Sequence, residues 1–183
     1  MTSLGQRWAP IAVLGAKSTG FHEALLALRH AGAPAGRGAR TVLQCNGESI
    51  LLIDESYNAN PASMRAAIAA LAAVPSNKYR RRIAVLGDML ELGTAGAQLH
   101  RDLHAAIENG DIDLVFACGP LMRHLFDALE PRQKGNWAAT ATVLAADLLQ
   151  ALQPGDAVMI KGSLGSRMAP LVKSVKQRFA GEA

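Results

Sequence analysis

The sequence predicts an α/β protein built on a Rossmann-like, doubly wound and mostly parallel sheet, with a β-hairpin at the N-terminal edge of that sheet. Three observations predict it. The runs "RRIAVLGD" (81–88), "DLVFACG" (113–119) and "DAVMIKGS" (156–163) are apolar on consecutive residues, and each ends in glycine or a polar residue. A strand needs apolar side chains on both faces only where helices cover the sheet on both sides. Helix-like segments at 61–73, 95–109, 120–129, 141–152 and 167–179 alternate with these strands, as βαβ units require. Finally, "TVLQCNGESILLID" (41–54) places two strand-like runs around "NGE", a short-range hairpin signal.

Residues 10–31 are rich in Ala and Leu at helical spacing ("EALLALRHA") and run into "GAPAGRGAR", a Gly/Pro cluster that breaks helices. The expected division is a helical segment over 1–34, a linker over 35–41 and the α/β domain over 42–183. The apolar run "SILLI" ends in "DESYNANP". Asn60 before Pro61 fits a helix N-cap with proline at the first helical position, which starts the 61–73 segment. The strand at 81–88 gives way to "GDMLELG" and then to the 95–109 segment, which contains His100. The strand at 113–119 leads through "CGP" into 120–129, and the strand at 156–163 leads through "KGSLGSR" into the last helix.

With 183 residues, half of them hydrophobic, the chain can fill a sizeable core. No apolar run approaches the ~18 residues of a membrane span. The start "MTSLGQRWAPIAVLGA" lacks the basic, apolar and cleavage regions of a signal peptide, so the expectation is a cytoplasmic protein without a membrane partner. Net charge is +4, but aromatic residues are only 4% and the basic ones are scattered apart from "KYRRR" (78–82) and the last helix. That makes nucleic acid a weak reading; a phosphate-bearing small molecule suits the balance, and so does a surface that is simply a little basic. Cys45 and Cys118 sit in strand-like runs, where buried thiols are ordinary, so neither a disulfide nor a metal site is expected. Trp8 and Trp137 belong to no readable pattern.

In doubly wound sheets ligands collect at the carboxyl ends of the strands. Asp54, Tyr57, Asn58 and Asn60 fall at such an end. One cap needs one side chain, so Asp54, Tyr57 and Asn58 are left over, and an aromatic ring beside amide and carboxylate groups suits a nucleoside. Asp88 and Glu91, three residues apart, suit a cation or an amine as a pair, or else serve as a turn acid and a first-turn acid favoured by the helix dipole. Lys161, followed by Gly162 and Ser163 before a helix start, reads as an economical anion site, or else as a surface lysine on a routine loop. His100, inside a helix pattern, reads as a packed or surface histidine. A Walker A loop is absent, and "LGAKSTG" (14–20) has its composition in the wrong order.

Taken in order and spacing, "GRGAR", "IDESYNANPASMRAAI", "VLGDMLELG" followed by His100, and "IKGSLGSRM" resemble the C-terminal domain of the Mur ligases over about residues 35–178. The likeness is greatest to the branch of that family that adds D-alanyl-D-alanine. It implies an ATP-dependent ligase that joins D-alanyl-D-alanine to UDP-N-acetylmuramoyl-tripeptide in peptidoglycan precursor synthesis, through an acyl phosphate and with Mg2+. By the same resemblance Arg37, Asp54, Tyr57, Asn58 and Asn60 contact ATP. Lys161 and Ser163 face the reacting phosphate or the dipeptide's carboxylate as catalytic groups, and Asp88 and Glu91 shape the substrate pocket. Residues before about 35 resemble the end of the family's central domain. The family's P-loop, magnesium ligands and modified lysine lie in its N-terminal and central domains. The chain is therefore expected to be a C-terminal piece, inactive alone, whose partners are those missing domains. Leu164 stands where some members have Arg, and "RWAPIAVLGA" keeps a loose likeness. Two other readings stay open: a stand-alone nucleotide-binding or interaction module, and a sibling ligase like folylpolyglutamate synthetase, which shares the fold but not "SYNANP".

Overall fold

A computed structural model describes residues 35–45 and 47–179. The expected helical segment over 1–34, with Trp8 and "LGAKSTG", lies outside the described residues. The chain separates into two compact units, Met1–Ala33 and Pro34–Ala183, of which the second carries the fold below.

Six strands form one sheet: β1 (Ala39–Cys45), β2 (Glu48–Glu55), β3 (Arg81–Gly87), β4 (Leu114–Cys118), β5 (Lys134–Ala138) and β6 (Asp156–Lys161). Their order is β1-β2-β6-β3-β4-β5. β1 and β2 pair antiparallel, with Cys45 opposite Glu48 and Gly47 at positive φ in the connection, so the hairpin edge stands as read. All other pairings are parallel. The helices are α1 (Pro61–Ala72), α2 (Gly96–Arg101), α3 (His104–Asn109), α4 (Met122–Ala128), α5 (Ala141–Ala151) and α6 (Ala169–Phe179).

The continuous apolar strands serve two cores. Successive side chains on a strand point to opposite faces. Ala84, Leu86, Ala157 and Met159 therefore pack with Met64 and Ile68 of α1, Ile107 of α3 and Met122 and Leu125 of α4. Ile83, Val85, Val158 and Ile160 pack on the other face with Leu144 and Leu148 of α5 and Leu171 and Val175 of α6. Every residue of β6 is buried, as befits a strand with neighbours on both sides and helices on both faces.

The structure differs from the sequence reading in three places. β5 was not read as a strand: "KGNWA" has no apolar run, because it is an edge strand, only Ala138 is fully buried, and its register slips between Val115 and Ala117 of β4. The helix read at 95–109 is a 3-10 turn followed by α2 and α3. The break comes at Leu103, a fully buried residue whose amide tightens to the carbonyl three residues back, on His100. The last helix begins at Ala169 after a 3-10 turn over Leu164–Ser166 and a left-handed Arg167.

The basic run at 80–82 works inside the fold at the amino edge of the sheet. Arg81 makes two parallel bonds to the buried Asp156, at 2.8 and 2.7 Å, and a third to Ala151 O. The hydrogen bond to Asp156 raises the Arg81 pKa further above its ordinary range. Arg80 reaches Glu48 Oε2 at 2.7 Å and Pro154 O, and Arg82 reaches Val74 O. These guanidinium groups fasten strand starts and helix ends, which accounts for the run without an external anion.

Candidate functional site

The helix after β2 covers one face of the sheet and the helix after β6 the other, so the loops at the carboxyl ends of β2, β6 and β3 diverge around a crevice. Ser163 ties the three loops together. Its amide donates to Asp88 O at 3.1 Å, and its hydroxyl accepts from Leu90 N at 3.0 Å and donates to Ala59 O at 3.4 Å.

On the β2 side a cleft of about 220 Å³ is lined by Arg37, Glu55, Tyr57, Asn58, Asn60 and Lys161, among others. Its floor depends on a turn at 35–38 that doubles back on the strand end. Tyr57 N donates to Gly36 O and Gly38 N to Asp54 O. Gly36 has φ +75, and a Cβ there would lie 2.9 Å from Tyr57 Cβ, so the close approach requires glycine. Asp54 is buried behind this floor. Its carboxylate accepts from Gly36 N at 3.0 Å, Ser56 N at 3.1 Å and Ser56 Oγ at 2.6 Å. Tyr57 is 44% exposed, with the Arg37 guanidinium 4.2 Å over its ring. Asn58 Oδ1 accepts from Ala59 N, and Asn60 completes a reciprocal capping box with Ser63 at the start of α1. Lys161 is only 2% exposed. Its Nζ donates to Asn58 O at 2.9 Å and to Glu55 Oε2 at 3.4 Å, which leaves one of its three N–H groups without a partner among the described residues.

On the β3–β4 side a larger cleft of about 550 Å³ is lined by Asp88, Cys118, Gly119, Thr140, Ser166 and Arg167, with Leu90 and Gly165 beside them. Asp88 is buried and caps α4, accepting from Met122 N at 2.7 Å and Leu121 N at 3.3 Å. Gly119 makes room for it: φ is +108, and a Cβ would fall 2.4 Å from Asp88 Cγ. Burial, helped by the Asp88 charge, pushes the Cys118 thiol up to about 11, so it stays protonated at neutral pH. Thr140 caps α5 through Val143 N. Arg167 is exposed at positive φ. Glu91, also at positive φ, is exposed and lines neither cleft.

Of the residues singled out in the sequence, Arg37, Tyr57, Asn58, Asn60 and Lys161 therefore share the smaller cleft. Asp54 supports it from behind, and Ser163 joins it to the larger one. His100 is a packed histidine at the base of the β3 loop. Sequence reasoning passed over Glu55, Thr140 and Arg167. Thr140 carried an N-cap signal ahead of an apolar helix, whereas nothing local marks Glu55 as the counter-ion of Lys161, 106 residues away. Among the described residues no cluster of His, Cys, Asp or Glu is suited to a metal, and no helix is long and apolar enough to cross a membrane.

The family model described as "Mur ligase, glutamate ligase domain" matches residues 40–164. UDP-N-acetylmuramoyl-tripeptide--D-alanyl-D-alanine ligase of Bacillus subtilis is 33% identical over 143 residues, covering 75% of this chain and 30% of that protein. The ligase of the same name from Escherichia coli is 32% identical over 130 residues, covering 71% of this chain and 28% of that protein. The chain thus spans less than a third of the length of these relatives. Among solved structures, MurF from Acinetobacter baumannii superimposes with a TM-score of 0.67 at 26% identity, covering 92% of this chain and 36% of that one. MurF ligase from Thermotoga maritima, in complex with ADP, superimposes with a TM-score of 0.70 at 22% identity, covering 96% and 37%.

Proposed function

The chain belongs to the Mur ligase family, and from that premise we propose that it is the C-terminal part of an ATP-dependent ligase that adds D-alanyl-D-alanine to UDP-N-acetylmuramoyl-tripeptide in cytoplasmic peptidoglycan precursor synthesis. One observation carries the reading. The single stretch 161–167 at the end of β6 lines both clefts, Lys161 facing the smaller and Gly165, Ser166 and Arg167 the larger, so one strand end serves two ligands.

The smaller cleft fits part of a nucleotide. The exposed Tyr57 ring offers a flat face, Arg37 and the third N–H of Lys161 offer positive charge, and Asn58 and Asn60 line the rest. ATP supplies the phosphoryl group that activates the tripeptide's carboxylate as an acyl phosphate, from which the dipeptide's amine displaces phosphate. Lys161 draws charge toward the reacting end, and Ser163 holds the loops in register for it. Magnesium finds no ligand cluster among the described residues, and none of its ligands is assigned to them. The larger cleft takes the dipeptide. Arg167 and the N-terminus of α5 give it positive potential for the terminal carboxylate, while Asp88 shapes it by fixing α4. Glu91 stands at the exposed turn beyond Asp88 and lines neither cleft, so no substrate contact is assigned to it.

The test is the reading frame and the product. The gene upstream of Met1 should read in frame through Gly-Thr-x-Gly-Lys-Thr, and the longer polypeptide should form the pentapeptide product with release of ADP and phosphate. The 183 residues alone, given the same substrates, should form none. Ligation by these residues alone would refute their role as one part of the enzyme. A longer polypeptide that binds ATP yet ligates nothing would favour a nucleotide-binding module instead.

A further inference from the structure

Three consecutive residues of the loop after β3 are held by groups from three other segments. Asp88 is held through its carboxylate by the first amides of α4, and through its carbonyl by Ser163 N. Leu90 is held through its amide by Ser163 Oγ. Between them, Met89 N donates to His100 Nε2 at 2.9 Å. Asp88 and Leu90 line the larger cleft, and Leu90 packs so closely on the opposite loop that a Cβ at Gly165 would lie 2.6 Å from its Cδ1. The three fasteners therefore set one wall of that cleft.

Of the three, only the one at Met89 depends on a group that titrates near neutrality. The His100 side chain has no exposure, and its Nδ1 lies 2.6 Å from Gly96 O, to which it can only donate. With the proton on Nδ1, Nε2 keeps its lone pair for Met89 N, so the bonding partners fix one neutral tautomer. A second proton on Nε2 would set two donors face to face. Burial lowers the pKa of His100 and His124 on α4 lowers it further, while Gly96 O and Asp88 favour the cation without overcoming burial. The ring is neutral at neutral pH for these reasons.

We propose that neutral His100 is a positioning residue for the larger cleft: it clips Met89 so that Asp88 and Leu90 form the wall, and its protonation releases that wall. The clip is independent of the ligand, and only the identity of the ligand rests on the function proposed above. The experiment is 15N NMR on the 183-residue chain from about pH 8 down to about pH 4, so that a folded pKa lowered from the ordinary histidine value of about 6.5 still falls within the range. His100 Nε2 should show the shift of an unprotonated acceptor at the upper end. As that nitrogen takes up its proton, the Met89 and Leu90 amides should lose hydrogen-exchange protection by on the order of tenfold or more relative to β3, and Gly119 and Thr142 in the cleft should shift with the same midpoint. His100→Gln supplies an accepting oxygen that does not titrate, so it should keep the protection and abolish the pH dependence. Unmoved Met89 and Leu90 amides through the His100 titration, or an identical pH profile in His100→Gln, would overturn the proposal. Should His100→Gln not fold, the midpoint of the unsubstituted chain still decides. D-Alanyl-D-alanine added at both pH values tests the other reading separately: a clip that titrates without any dipeptide binding upholds the positioning role and counts against the ligand assignment alone.

Discussion

Asp54 shows how far a residue's neighbours determine what it does. In the sequence it stands beside Tyr57 and Asn58 as a nucleoside contact, yet its carboxylate accepts from Gly36 N and from both donors of Ser56. The Gly36 partner is 18 residues away and gives no local signal, whereas the Asn60 cap, completed by Ser63 three residues on, was legible. Asp54→Ala would leave those donors buried and unpaired, so it should cost roughly 1–3 kcal/mol in denaturant melts and weaken the proposed ATP binding only through the loosened 35–38 turn. Lys161→Ala should act on the chemistry instead. In the ligating polypeptide it should lower kcat/KM by about 10²-fold or more if the ammonium meets developing charge, whereas an effect confined to stability would refute that role. His100 adds a stability effect of definite sign. Its folded pKa lies below the ordinary value, so between the two the unfolded chain binds the proton and the folded chain does not. Its contribution is complete above about pH 6.5 and declines as pH falls below that. The Tm difference between the unsubstituted chain and His100→Gln should shrink or reverse on acidification, and a difference independent of pH would contradict this.

Elements differed in legibility according to how much of their pattern was local. β2, β3, β4 and β6 are buried on both faces and announced themselves as apolar runs, and the hairpin announced itself through Gly47. β5 was silent because an edge strand need not be apolar, and the α2–α3 break was silent because Leu103 is drawn into the core by its tertiary neighbours. The start of α4 was equally hidden, since its cap is Asp88, from a different strand end. That cap gives an element-scale prediction. Gly119→Ala forces a Cβ onto the Asp88 carboxylate at a backbone angle that L-residues avoid. It should cost about 1–3 kcal/mol or more, and it should shift the Leu121 and Met122 amides before any in α5. Asn60→Ala, by comparison, removes one exposed cap and should cost about 0.5–2 kcal/mol with fraying confined to α1.

At the scale of the whole molecule, the sequence foretold two layers of helix on a mostly parallel sheet but not the strand order, because order is fixed by pairings between distant residues. β6, the last strand in the chain, lies between β2 and β3. Its six residues are all buried, and Asp156 at its start anchors Arg81 at the opposite end of the sheet from the clefts. Closing this sheet therefore waits for the C-terminal part of the chain, as expected where non-local pairing dominates. The unit Pro34–Ala183 has its own two cores, so we expect residues 34–183 to melt cooperatively without residues 1–33, as followed by circular dichroism and calorimetry. Truncation after Leu152 removes β6, the 3-10 turn that follows it and α6, and it should abolish the cooperative transition. It exposes the inner edges of β2 and β3 together and strips α6 from the second core. Loss of folding on removing residues 1–33 would show that the second unit does not stand alone, and a native-like melt from the chain truncated after Leu152 would show that the sheet is not organised around its last strand.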